Sequence, residues 1–142
     1  MRELIEKIYR RAQAIGACSL FTGKETLEEL VSLMFRPQGI EFMLQHKFPD
    51  LDTLREFKPF HPERFGVYID CGEIDLTEAR KVFLIGNTVA RLKYREIARN
   101  QVYLMCGAKA QITASGYAVV RIEKDFHSDI NTTATENAVI LW

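Results

Sequence analysis

The chain has 142 residues, 47% of them hydrophobic and 27% charged. That length can bury a core without staples, and the balance excludes a disordered, collagenous or membrane-spanning polypeptide. Nineteen basic residues match nineteen acidic ones, ten of each sign through Phe65 and nine of each beyond it, so no electrostatic footprint for nucleic acid emerges.

From Arg2 to Ile15, Leu4, Ile5, Ile8, Tyr9, Ala12 and Ile15 recur at three- and four-residue steps, which predicts a first helix. Thr22–Glu25 and Thr26–Glu29 each fit a capping box, ahead of a helical face formed by Leu27, Leu30, Val31 and Met34. Pro37 can open a third helix, with Ile40, Met43 and Leu44 inward, and Pro49 stops it. Another turn or two, carrying Leu51, Leu54 and Phe57, is expected after Asp50. Lys58–Gly66, with two prolines and a glycine, reads as an extended connector where the periodicity changes. The division is therefore a helical subdomain with connector over 1–65 and a β-repeat subdomain over 66–142.

Beyond Gly66 short β-branched and aromatic runs alternate with turn residues. Val82–Leu92 lines up without gaps on Val102–Ile112, twenty residues on. Val67–Gly72 opens a related unit fifteen residues before Val82, and Ala118-Val119-Val120 recurs as Ala138-Val139-Ile140. Similar strands thus begin near Val67, Val82, Val102, Ala118 and Ala138. Coils stacked in parallel explain such spacing, with Gly72, Gly86, Asn87, Gly107, Gly116 and Asn137 at the bends. The expected fold is α+β, a helical N-terminal cap followed by a short β-solenoid, parallel β-helix-like. An antiparallel β-meander with N-terminal helices is the alternative.

Phe57–Asp70, followed by Ile85-Gly86-Asn87 and Gly107-Ala108-Lys109-Ala110, resembles a group of small uncharacterised bacterial proteins. The C-terminal half is also distantly similar in architecture to bactofilin-type cytoskeletal solenoids. That likeness implies end-to-end polymerisation of the kind bactofilins show.

Candidate chemistry is sparse. Cys18, Cys71 and Cys106 are odd in number and far apart, which suits reduced thiols rather than a disulfide framework or a metal knuckle. Cys71 and Cys106 occupy similar places in two strand units and could share a column, with His61 a conceivable base for Cys71. Asp125, His127 and Asp129 alternate, so in an extended strand they would face one side and could ligate a divalent metal. Arg91, Lys93, Tyr94, Arg95 and Arg99 form the densest basic stretch and could contact phosphates or stack on a base. His46 suits the negative end of a helix dipole.

Val139, Ile140, Leu141 and Trp142 form an apolar terminal strand that needs a cover, which suggests an oligomer interface. GxSxG, GxxxxGK, HExxH and dinucleotide fingerprints are absent from the sequence. The leading expectation is a non-catalytic interaction or structural protein without a cofactor, forming a homo-oligomer or binding a protein partner. A small metal-dependent or cysteine-based enzyme is the first alternative, and a nucleic-acid accessory protein the second. With no signal-like run and no stretch of roughly 18 apolar residues, the expected location is the cytoplasm, off the membrane.

Overall fold

Apolar spacing and proline placement divide the chain's behaviour near Gly66. The computed structural model describes residues 1–17 and 20–142; Cys18 lies outside them. They form two compact units, Met1–Phe65 and Gly66–Trp142.

The described residues of the first unit build four α-helices: α1 (Arg2–Ala14), α2 (Leu27–Met34), α3 (Pro37–His46) and α4 (Leu51–Arg55). The three- and four-residue spacing of α1 buries Ile5, Ile8 and Ala12. Of the two capping-box candidates, Thr26 and Glu29 complete the reciprocal pair. Thr26 Oγ1 accepts the Glu29 N–H at 3.2 Å, and Glu29 Oε1 accepts the Thr26 N–H at 3.0 Å. The Thr22 pair makes half of it: Glu25 accepts the Thr22 N–H at 2.8 Å, while the Thr22 hydroxyl accepts from Lys24 at 3.2 Å. Pro37 stands in the first turn of α3, where its missing N–H costs nothing. Across the unit, Arg11 Nη1 donates to Thr53 Oγ1 at 3.1 Å and Lys7 Nζ to Glu56 at 3.0 Å. The connector is not extended as expected. Lys58–Phe60 and Pro62–Phe65 are 3-10 turns, because the φ that proline imposes also suits a helical turn.

The second unit consists of β1 (Val67–Ile69), β2 (Gly72–Thr77), β3 (Lys81–Ile85), β4 (Thr88–Tyr94), β5 (Arg99–Met105), β6 (Lys109–Ala114), β7 (Val119–Lys124), β8 (Asp129–Ala134) and β9 (Val139–Leu141). Odd-numbered strands form a five-stranded sheet in the order β1-β3-β5-β7-β9, and even-numbered strands a four-stranded sheet in the order β2-β4-β6-β8. Every ladder is parallel. This is a β-solenoid of about four coils, each giving one strand to either sheet, and it overturns the antiparallel meander.

The five similar segments read from the sequence are the strands of the first sheet. Between them runs a second sheet that the repeat alignment did not separate. From the second coil onward the register is twenty residues, as in Gln101↔Arg121 and Lys109↔Asp129. The first step differs from expectation: Val67 pairs with Phe83, sixteen residues on, not with Val82. Side-chain alternation decides it, since the sixteen-residue step sets Tyr68 beside Leu84 toward the core and a one-residue slip would turn it outward. The later corner holds the additional residues, for Thr77 to Lys81 spans the same place as Lys93 to Gln101.

The core lies between the sheets in columns repeated from coil to coil. Val82, Val102 and Ile122 form one from the first sheet; Leu92 and Ile112 belong to one from the second. Burying each such side chain contributes about 1.5–3 kcal/mol. Val82–Ile85 of β3 and Val102–Met105 of β5 are apolar and buried on both faces, with Phe83 and Tyr103 edge to face at 5.8 Å, the pattern of a strand covered on both sides. Asn100 is the buried polar residue within a column of the first sheet. Its Nδ2 donates to Val119 O at 3.1 Å, and its Oδ1 accepts from Arg80 Nη1 at 3.1 Å, so no desolvated amide is left unpaired.

At the corner between the sheets, Asp70, Gly86 and Cys106 occupy equivalent places and all adopt positive φ, 51°, 67° and 60°. In these three coils the change of direction is made in the left-handed conformation, which Asp70 and Cys106 adopt as well as the glycine.

Candidate functional site

β8 and β9 are the outermost strands of the two sheets at the last coil. Among the described residues β8 bonds only to β6 and β9 only to β7, so there one edge of each strand carries backbone donors and acceptors without a strand partner. Ile130, Ala138 and Ile140 pack partly against the core from this end. Val139, Leu141 and Trp142 are 45%, 47% and 68% exposed. The four terminal residues expected at an interface therefore lie together on the last strand and its continuation. The inward side of β8, with Ile130 and Thr132, belongs to the same surface and was not anticipated. Aligning Asp129–Ala134 on Lys109–Ala114 at the twenty-residue offset would have revealed it.

The basic stretch is divided by strand geometry. Arg91 and Lys93 point outward from β4, but alternation turns Tyr94 into the core, where it is 1% exposed and its hydroxyl donates to Ala79 O at 2.8 Å. Burial, followed by the Glu78 charge, raises the Tyr94 phenol well above its ordinary value. Tyr94 is thus withdrawn from any stacking surface. Arg91 forms a bidentate pair with Asp75, Nε–Oδ1 at 2.6 Å and Nη2–Oδ2 at 3.0 Å, and this hydrogen bonding is the leading cause holding the Asp75 carboxyl below its usual range. Arg95 lies in the corner after β4, and Arg99 opens β5 on the other sheet. The five residues wrap a corner instead of forming one face.

Asp125, His127 and Asp129 do not share an extended strand, as the metal expectation required. Asp125 to Ser128 form the corner between β7 and β8, and Asp129 begins β8. Asp125 is engaged: Oδ2 accepts the Cys106 N–H at 2.8 Å and Oδ1 accepts from Ser128 Oγ at 2.7 Å. His127 is exposed beside the Phe126 ring, at 5.8 Å between centroids. Among the described residues, no three His, Cys, Asp or Glu side chains are grouped to hold a metal ion. The turn breaks the alternation that would have aligned them.

Cys71 and Cys106 do not share a column either. The register places Cys106 level with Gly86 and Asp70, and Cys71 one residue further along. Cys71 is exposed and its N–H donates to Thr88 Oγ1 at 3.0 Å. In the first unit, His61 Nδ1 lies 3.2 Å from Glu63 Oε1, and His46 ends α3 with its ring 4.6 Å from Phe42.

The first unit also carries a half-open pocket of about 350 Å³, whose lining includes the half-buried Phe21, Leu33, Met34, Phe42 and Phe48. This lining is apolar enough to take a hydrocarbon group. Residues of three separate segments converge there, a meeting that helical periodicity does not encode.

Among the described residues, no helix is long and apolar enough to cross a membrane. No family model, curated protein or solved structure matches the chain.

Proposed function

We propose that this protein is a non-catalytic structural or interaction protein, a rigid β-solenoid that associates with a second copy through its last coil. The observation that carries the reading is the open end, where one-sided β8 and β9 strands meet the half-buried Ile130 and Ile140. Apolar side chains beside unpaired backbone groups are the two features that strand addition satisfies at once. Parallel ladders behind them hold that end rigid, which lowers the ordering cost of association. The absence of charge on Val139, Ile140 and Leu141 favours contact over solvation.

Light scattering across a concentration series tests it. The full chain should give a mass above its 16.4 kDa monomer, and removal of Ala138–Trp142 should return the mass to that of one chain. Equal masses for both proteins would remove the proposal. Trp142 is the chain's only tryptophan and 68% exposed, so its emission should shift blue as concentration rises.

A further inference from the structure

At the fifth coil the described residues give a strand to the first sheet alone: the first sheet has five strands and the second has four, so among the described residues no strand lies beside β8 level with β9. Each coil returns to its starting point using two strands, which therefore run in opposite senses. This geometry restricts how a second copy can close the end. Head-to-tail stacking, β1 on β9, continues the first sheet but leaves one strand position of the second empty, about 4.8 Å wide. A two-fold axis that sets β9 against β9 leaves two such positions empty, one from each copy. A two-fold axis along the strand direction leaves none. It exchanges the sheets, so that β9 of each copy enters the vacant position beside β8 of the other, antiparallel.

We propose that two copies close into this staggered dimer, each completing the other's fifth coil. The inference rests on the self-association reading above and specifies its geometry. The backbone is prepared for it. Asp129, Thr135 and Val139 send their N–H groups back to Ala108, Ala114 and Ala118 at 3.1, 3.0 and 2.9 Å. Successive residues of a parallel strand bond to opposite sides, so Ile130, Thr132, Ala134 and Ile140 offer theirs at the free edge. These same residues point inward. With Ile140 opposite Thr132, both requirements are met at once, side chains toward the core and backbone groups facing each other. That register sets Ala138 opposite Ala134 and Trp142 opposite Ile130. Along the contact, β9 carries no charge and β8 only Asp129 at its start, so the charged guards that normally block edge pairing are missing over the paired length. The contact is isologous and closes at two copies.

Cross-linking tests the arrangement. Thr133 and Val139 of different copies become a directly opposed, non-hydrogen-bonded pair, with Cα atoms about 4.5 Å apart, within disulfide reach. The double variant Thr133→Cys/Val139→Cys, mildly oxidised as the full chain, should run as a covalent dimer on non-reducing gels. Either single variant, carrying the same native cysteines, should remain a single chain, and light scattering of the unmodified protein should give twice 16.4 kDa. Cross-linking of Val139→Cys alone would show β9 against β9, and masses growing beyond the dimer would show open stacking. Either result overturns the stagger while leaving self-association standing. A mass of one chain at all concentrations overturns both.

Discussion

Asp125 and Cys106 belong to neighbouring coils, and the carboxylate of the first accepts the backbone N–H of the second at 2.8 Å. Asp70 joins the first two coils, its Oδ1 accepting the Asn87 N–H at 2.8 Å, and Glu78 serves the opposite corner by accepting the Arg95 N–H at 2.7 Å. The coils are thus stitched at their corners, where the sheet ladders stop and amides would otherwise lack partners. Acidic residues that resemble ligands in the sequence act here as clamps on backbone.

Asp125→Ala leaves the half-buried Cys106 amide without its acceptor and frees the Ser128 hydroxyl, itself at a buried residue. A loss of about 1–3 kcal/mol is expected, read as a lower urea midpoint with unchanged slope. A metal-ligand role would instead make the stability of the unmodified protein fall when a chelator is added. No chelator effect is expected.

Tyr94→Phe removes the hydrogen bond to Ala79 O and should cost about 1 kcal/mol at neutral pH. Its alkaline effect has the opposite sign. The phenol's pKa is raised in the folded protein, so the unfolded chain releases this proton first; the contribution is full below about pH 10 and lost as pH rises beyond it. Stability of the Tyr94→Phe variant should therefore decline less steeply above pH 10. Burial raises Tyr103 too, and its remaining slope should disappear only in the double Phe variant. Equilibrium unfolding at several alkaline pH values checks this.

Glu78 supplies the acid counterpart. Burial by itself would raise its carboxyl, but the Arg95 and Glu96 amides and the Arg80 guanidinium outweigh it and hold the value below the usual glutamate range. Its contribution is present above the unfolded value of about 4.3 and lost as pH falls through the lower folded one. Glu78→Gln should accordingly flatten stability against pH below about 5, as measured by thermal midpoints between neutral and acid buffer.

Ile112→Ala empties part of a column between Leu92 and Thr132, at a residue with 0% exposure. Coils above and below are held by their ladders and cannot collapse fully into the space. A cost of about 2–5 kcal/mol follows, measured by chemical unfolding.

In the first unit, Thr26→Ala removes the acceptor of the Glu29 amide and should cost about 1 kcal/mol. Thr22→Ala should cost less, because its hydroxyl serves Lys24 in a turn outside α2. Far-ultraviolet circular dichroism during thermal unfolding separates the two.

Helical spacing through α1 and the recurrence of similar segments after Gly66 were legible because each is a local consequence of which side chains must face a core. Proline at the start of α3 and threonine before α2 were readable for the same reason. Column membership was not. Tyr94 and Arg91 look alike as parts of a basic aromatic run, yet strand alternation sends one to the core and the other to Asp75. The metal candidates failed similarly, because the two-residue spacing of Asp125, His127 and Asp129 means one face only if the backbone is extended, and the corner is not.

By itself, then, the amino-acid sequence determined a helical part, a repeated β part and the direction in which its apolar residues must be buried, since those depend on periods of a few residues. The tertiary structure decided the sixteen-residue first step, the separation into two sheets and the order of the strands within each. These depend on which residues twenty apart are brought level, and hydrogen bonding between coils, with the packing beneath it, selects that register.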